Sequence, residues 1–309
     1  MTPRAKGILS AVVGTIFWST TAIFISYLLE HHNIQPLTLA FWRDLLISSA
    51  LLLFLAVRQP AALRITRRDL PFFVLYGFVG LAVFNGLWSY SVKFNGAAVA
   101  TVLAYSSPAF TVVLAWLLLR EALTLRKIIA IVLSLAGCVL VVEAHRPDVW
   151  QVNLTGILVG LGTGLAFAIY SLAGKWSTKR FASPWTVTAY GFLFAALGLM
   201  LTQTPQTALS MGPRWDGWLI LAVLALVPSL LGFGLYTLSL RYLQAGTAGL
   251  IASLEPALTT LMAITLLRRP FENVQWLGMG FILAAVALAQ NESTTLEKSN
   301  VALEETVMS

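Results

Sequence analysis

The feature that most constrains this chain is a succession of ten apolar runs, each of a length that suits a membrane-crossing helix. They lie at about 7–28, 38–57, 71–92, 97–118, 127–143, 154–175, 185–202, 217–240, 246–267 and 275–290. Backbone placed in lipid must satisfy its own hydrogen bonds, so runs of this kind become helices. We number them spans 1 to 10. The breaks carry turn and charge signals: His31-His32-Asn33 with Pro36, Arg64 to Asp69, Asn95-Gly96, Arg120 to Lys127, Arg146-Pro147-Asp148, Ser183-Pro184, Gly212-Pro213-Arg214 and Arg268-Arg269-Pro270. Only 11% of the residues are charged and 58% are hydrophobic, where a soluble domain is about 25% charged. The expected fold class is all-α integral membrane. The net charge of +7 does not point to nucleic acid, because the Lys and Arg residues sit in short loops between runs. The single cysteine, Cys138, lies inside a run, which excludes an intramolecular disulfide and a cysteine metal site. The first run has no clear small-x-small cleavage site and a related run begins at Gly156, so it reads as a mature span.

The runs repeat. Gly7-Ile8-Leu9 matches Gly156-Ile157-Leu158, Pro36 and Thr38 match Pro184 and Thr186, and Asp69 matches Asp216. Ala97 and Ala100 match Ala245 and Ala248, Pro108-Ala109 matches Pro256-Ala257, and Leu118-Leu119-Arg120 matches Leu266-Leu267-Arg268. The register stays near 147–149 residues throughout, which chance would rarely produce. The expected organisation is a first repeat over 1–146, a second over 147–290, and a disordered acidic cytoplasmic tail over 291–309. Five spans per half, an odd number, turn the second copy upside down. Ten transmembrane helices therefore form a 5+5 inverted repeat.

Charge sets the orientation. With the N-terminus in the cytoplasm, fourteen Lys and Arg fall in inside segments and five outside, Arg43 being within a span, so both termini are expected to be cytoplasmic. Arg268-Arg269 is the main exception, and the inversion accounts for it: Arg268 repeats Arg120 on a copy that faces the other way. Two inverted halves can rock about a midplane site, the physical basis of alternating access.

These residues resemble the drug/metabolite transporter superfamily, and within it the EamA-type transporters. The resemblance covers about 6–290. It rests on Phe17-Trp18-Ser19 in span 1, Pro36, Leu39 and Arg43 entering span 2, Pro108 with Leu118-Leu119-Arg120-Glu121 in span 4, Glu255-Pro256 with Leu266-Leu267 in span 9, and Gly137 and Gly278 in spans 5 and 10. It implies a central cavity lined mainly by spans 1–4 and 6–9, a bacterial cytoplasmic (inner) membrane location, and export of amino acids, metabolites or drugs. Two positions depart from the pattern: Arg269 replaces the acid that usually ends span 9, and Ala130 replaces a glycine in span 5.

Glu255 is the residue that asks most for an explanation. It lies about ten residues into its run, roughly 15 Å deep at 1.5 Å per residue. A central Asp, Lys or Arg costs roughly 2.5–3.5 kcal/mol on insertion scales, and Glu should be comparable. Glu255 is a candidate proton carrier or counter-charge for a substrate amine; the structural alternative is a carboxyl that holds backbone groups freed near Pro256. The first half has Ser107 at the matching position. Pro108 and Pro256 read as helix kinks. Arg43 is a candidate for a substrate carboxylate or for an ion pair, and since consecutive helix residues do not face each other, Arg43 and Asp44 are each expected to find another partner. Trp18, Trp88, Tyr105, Tyr170 and Tyr236 complete the candidate substrate-binding set, with interface anchoring or packing as the alternative. Ser106, Ser107 and Ser253 supply hydroxyls that can bind ligand or their own helix backbone. Asn85 reads as a satisfied amide.

No Walker lysine motif, dinucleotide fingerprint, catalytic dyad or metal cluster is present in the sequence, so no cofactor, no metal and no enzyme activity are expected. The expected function is secondary transport, outward by the resemblance, of a small amino-acid-like or amphipathic metabolite, with proton coupling as an option through Glu255. An importer or facilitator is the rival within the class, and an intramembrane enzyme on lipid-like substrates the rival outside it. The expected partners are a small-molecule substrate and the lipid bilayer, with no nucleic acid; a homodimer is left open.

Overall fold

The computed structural model describes residues 1–32, 34–149, 154–181, 183–267 and 272–308. Among them the regular structure is helical, without a strand. Helix α1 spans Pro3–His31 and α2 Pro36–Arg58. Helix α3, Leu70–Val74, passes through a π-helical stretch, Leu75–Val83, into α4, Phe84–Ala104. Then come α5, Ser107–Leu119, α6, Leu125–Val141, α7, Leu154–Arg180, α8, Pro184–Met200, and the short α9, Pro205–Ala208. Helix α10, Trp215–Leu224, continues through π-helical Ala225–Ser229 into α11, Leu230–Tyr242. Helices α12, Ala245–Ala252, α13, Leu254–Leu267, and α14, Asn273–Met308, complete the chain.

Local sequence explains these boundaries. Proline opens α1, α2, α5 and α8, where its missing N–H has no helical partner to lose. The Thr2 and Thr124 hydroxyls cap α1 and α6. Arg120 takes a left-handed conformation, φ 57°, to end α5. Pro228 cannot donate within its helix, and the turn around it widens to π geometry. The π stretch at Leu75–Val83 occupies the matching place in the first half.

Among the described residues seven helical stretches are long and apolar enough to cross a membrane: Pro3–His31, Pro36–Arg58, Leu70–Val92, Val99–Leu119, Leu154–Arg180, Trp215–Tyr242 and Asn273–Gln290. The other three expected spans are the shorter ones. Helices α6 and α8 have 17 residues each, and the run from Ala245 to Leu267 is divided at Ser253 into α12 and α13.

One expectation about a boundary needs correction. The break at Asn95-Gly96 lies inside helix α4. The chain nonetheless reverses there. A Cβ built on Gly160 of α7 would stand 2.8 Å from Ser91 Oγ and 2.5 Å from Leu103 Cδ1. In a straight helix those twelve residues would separate them by roughly 18 Å. The chain therefore descends and returns along the same face of α7, and Asn95 secures the bend by donating to the Gly156 carbonyl at 2.8 Å. Helix α14 continues past Asn291 to Met308.

Contacts distant in sequence sort into two ends of the bundle. At one end Asn95 meets Gly156, Gln275 donates to the Val141 carbonyl, Thr38 donates to Gln203 and Arg214 donates to the His31 carbonyl. At the other, Arg180 pairs with Asp69, Arg4 donates to the Gln290 carbonyl, the Ala245 N–H donates to Glu121, and Lys175 Nζ donates to the Leu240 and Leu243 carbonyls. Asp69 also accepts from the Thr66 N–H and hydroxyl, and these bonds, with Arg180, hold its carboxyl down to about 2. The packing is symmetric on exchange of halves: α1 lies on α11 and α13 as α7 lies on α4 and α5, while α2 with α8 and α6 with α14 each pair with their own counterpart, and spans 4 and 9 meet through α5 and α12. Gly137 and Gly278 form the last contact reciprocally, a Cβ on either standing 2.6 or 2.8 Å from the other's carbonyl oxygen.

Candidate functional site

Two broken helices cross at the centre of this arrangement. Span 4 breaks at Tyr105-Ser106 before α5 begins, and span 9 breaks at Ser253 before α13 begins. Pro108 and Pro256 therefore do not kink a continuous helix: each sits in the first turn of a new one, where proline is tolerated. The broken segments touch closely, since Gly246 of α12 faces Val112 and Gly249 faces Pro108 and Thr111. Glu255 falls in the first turn of α13, so the positive end of that helix lies behind its carboxylate.

The breaks border a cavity of about 230 Å³. Its wall includes Trp18 from α1, Phe84, Trp88, Thr101 and Ala104 from α4, Tyr105 and Ser107 at the first break, Phe167 from α7, and Glu255, Pro256, Thr259 and Thr260 from α13. Tyr105 and Glu255 are 150 residues apart in sequence, yet the phenol donates to Glu255 Oε2 at 2.7 Å. That bond joins the first half of the chain to the second. The aromatic wall is continuous: Phe167 packs against Trp18 with centroids 5.9 Å apart and against Phe84 at 5.6 Å.

The cavity extends toward the end of the bundle that holds Asn95, because Trp88, Thr101 and Val142 lie on that side. Toward the other end it stops at a buried aromatic layer. Tyr170, one turn beyond Phe167, stacks on Tyr76 at 4.9 Å and shares a 3.1 Å hydrogen bond with Thr237. Tyr236 contacts Trp18 at 5.1 Å and shares a 2.7 Å hydrogen bond with Ser171. Beyond this layer Lys175 of α7 bonds to the end of α11, and Glu121, which follows α5, accepts from the first N–H of α12.

The candidate residues thus divide. Trp18, Trp88, Tyr105 and Glu255 border one cavity. Tyr170 and Tyr236 are buried in the layer beneath it. Arg43 stands apart in a buried polar group of its own. Its Nε lies 3.2 Å from Asp44 Oδ1 and its Nη2 donates to Asn85 Oδ1 at 3.1 Å, while Asn85 Nδ2 donates to Asp44 Oδ2 at 3.3 Å. The expectation that Arg43 and Asp44 would look to separate partners is therefore incorrect. The long Arg43 side chain turns back to the short Asp44 carboxylate, and Asn85 on the adjacent helix closes the triangle. Ser106 and Ser253 donate to carbonyls of the preceding turn, Leu103 and Leu250. Phe84, Phe167, Thr101, Thr259 and Thr260 were not singled out from the sequence. The spacing of Phe84 and Trp88, four residues apart, is the one signal that could have paired an overlooked residue with a chosen one. Arg268, Arg269 and Asn153 lie outside the described residues. No group of three metal-binding side chains occurs among the described residues.

Comparison with known proteins adds an independent line. A model of the EamA-like transporter family matches residues 5–143 and again 154–290, one match per half. An uncharacterized inner membrane transporter of Salmonella typhimurium, YicL, is 26% identical over 93% of this chain and 96% of its own. The threonine/homoserine exporter RhtA of Escherichia coli is 29% identical over 76% of each chain. A protein crystal structure superimposes with a TM-score of 0.76 at 19% identity, covering 93% of this chain and 97% of its own, a likeness of fold.

Proposed function

This chain belongs to the EamA-like transporter family, and from that premise we propose that it is a secondary active exporter of a small organic metabolite, working by alternating access in a bacterial cytoplasmic membrane. It is a membrane transporter and not an enzyme. The finer reading is of ten crossings in a 5+5 inverted repeat, with both termini on the cytoplasmic side. The two-ended sorting of contacts and the reversal within α4 support ten crossings, and the excess of Lys and Arg at the end holding the N-terminus supports the orientation.

The observation that carries the reading is the Tyr105–Glu255 bond across the two broken helices, in a cavity blocked at one end by the aromatic layer. Discontinuous helices meeting at a repeat interface supply the polar groups of a transport site at the bilayer midplane. A cavity that reaches one end only is one of the two states such a carrier alternates between. The name of the Escherichia coli relative, an exporter of amino acids, favours export of a small amine-bearing solute. Glu255 supplies a carboxylate that can carry a proton or face a substrate amine.

The test is uptake and counterflow in proteoliposomes, screened over amino acids and related amines at two pH gradients. Wild-type protein should exchange at least one solute, and Glu255→Gln should remove the pH dependence. Failure of every solute to move would sink the transporter reading; unchanged pH dependence in the variant would remove the proton role.

A further inference from the structure

The cavity wall has a lopsided chemistry. Among the described residues that line it, Glu255 is charged and none is Lys, Arg or His. Arg43, the cation expected nearby, is not part of the wall: it is 8% exposed and tied to Asp44 and Asn85. Two hydroxyls of the wall are committed to other partners. Tyr105 donates to Glu255, and Thr259 donates to the Ser19 carbonyl at 3.1 Å. The rings of Trp18, Phe84, Trp88 and Phe167 belong to the same wall.

Each of these facts acts in the same direction. A cation can pair with the carboxylate and lie against aromatic faces, which attract positive charge within about 6 Å of their centroids. A carboxylate on the ligand would find no cation in the wall and would meet the repulsion of Glu255. Leaving an ionised group unpaired in such a site is strongly unfavourable. The volume of about 230 Å³ lies below the range of about 300–1,000 Å³ for drug-sized ligands.

We propose that the cavity takes small organic monocations, an amine or ammonium head on an apolar body, and discriminates against the same body carrying a carboxylate. Glu255 is the counter-charge, and the four rings hold the body. This inference rests on the transporter reading for its biological sense, but the binding chemistry can be tested separately.

The test uses the full-length protein purified in detergent and two matched ligand sets. One set is phenethylamine, phenylalaninamide, phenylalanine and 3-phenylpropionate. The other is isoamylamine, leucinamide, leucine and 4-methylpentanoate. Binding is followed by tryptophan fluorescence, and uptake of the same compounds is measured in proteoliposomes. Within at least one set, the amine and amide should bind at least tenfold more tightly than the zwitterion, and the acid should not bind. Glu255→Gln should weaken amine binding at least tenfold, with Glu255→Asp recovering part of it. A zwitterion or acid that binds as tightly as its amine overturns the proposal, as does unchanged amine affinity in a folded Glu255→Gln, or no binding by any member. The wild-type ligand series decides the matter even if the variants do not fold. Amine-selective binding without uptake upholds this inference while removing the transport reading. Zwitterion-selective uptake does the reverse.

Discussion

Asp44→Asn should destabilise the protein more than removal of the whole ion pair. Asp44 is fully buried and accepts from both Arg43 and Asn85. Hydrogen bonds to a charged group are each worth about 1.5–3 kcal/mol, and stranding one member of a buried pair costs about 3–5 kcal/mol. Asp44→Asn leaves the Arg43 guanidinium in that position, so the expected loss is about 3–5 kcal/mol. The double variant Arg43→Met/Asp44→Asn removes both charges, and burial of a neutral set in place of an ion pair is often neutral or stabilising by about 1–4 kcal/mol. It should therefore regain most of the loss. Denaturant titration of the detergent-purified variants, with transport measured beside it, reads both quantities. A loss below about 1 kcal/mol in Asp44→Asn would contradict the electrostatic account, given the cost expected for a stranded charge. A double variant with restored stability and no transport would contradict the separation of Arg43 from the cavity.

Two other expectations concern packing and pH. A Cβ at Gly77 would stand 2.4 Å from the Gly191 carbonyl oxygen and 2.7 Å from Phe194 Cβ, atoms that cannot easily yield. Gly77→Ala should cost about 1–3 kcal/mol by overpacking, whereas Gly86→Ala, with nothing within 4 Å, should gain up to about 1 kcal/mol of helix propensity; thermal unfolding of the pair checks the contrast. The Asp69 carboxyl is held at about 2, below its ordinary value of 3.8, first by the Thr66 N–H and then by the Thr66 hydroxyl and Arg180. A lowered value means that the folded state prefers the ionised form, so this stabilisation is present above about pH 4 and is lost as pH falls toward 2. Stability profiles of wild type and Asp69→Asn should converge over that window, and parallel profiles would assign the bonds no energetic role.

Much of the architecture was legible because lipid leaves a chain few options. Runs of span length, a register of 147–149 residues and repeated prolines imply helices, two halves and a matched device in each. Glu255 and Tyr105 were each visible as polar groups where an apolar run should not have them. Their contact was not visible, since it depends on two breaks meeting across 150 residues. Arg43 and Asp44 were misjudged because the rule about neighbouring helix positions concerns Cβ directions, while a long arginine side chain can turn. The burial of Tyr170 and Tyr236 beneath the cavity turns on one helical turn, about 5.4 Å, which a sequence read without a partner helix does not resolve. The π stretch at Leu75–Val83 has no proline to announce it, unlike that at Ala225–Ser229.

The reciprocal contact of Gly137 and Gly278 has a further consequence. Helices α6 and α14 meet as the two subunits of a symmetric dimer meet, within a single chain: each provides the notch that the other's carbonyl fills. Such a surface needs only to complement itself, so one design serves both sides of the joint. A joint of that kind looks the same from either half, and neither half is marked by it as the frame or as the moving part.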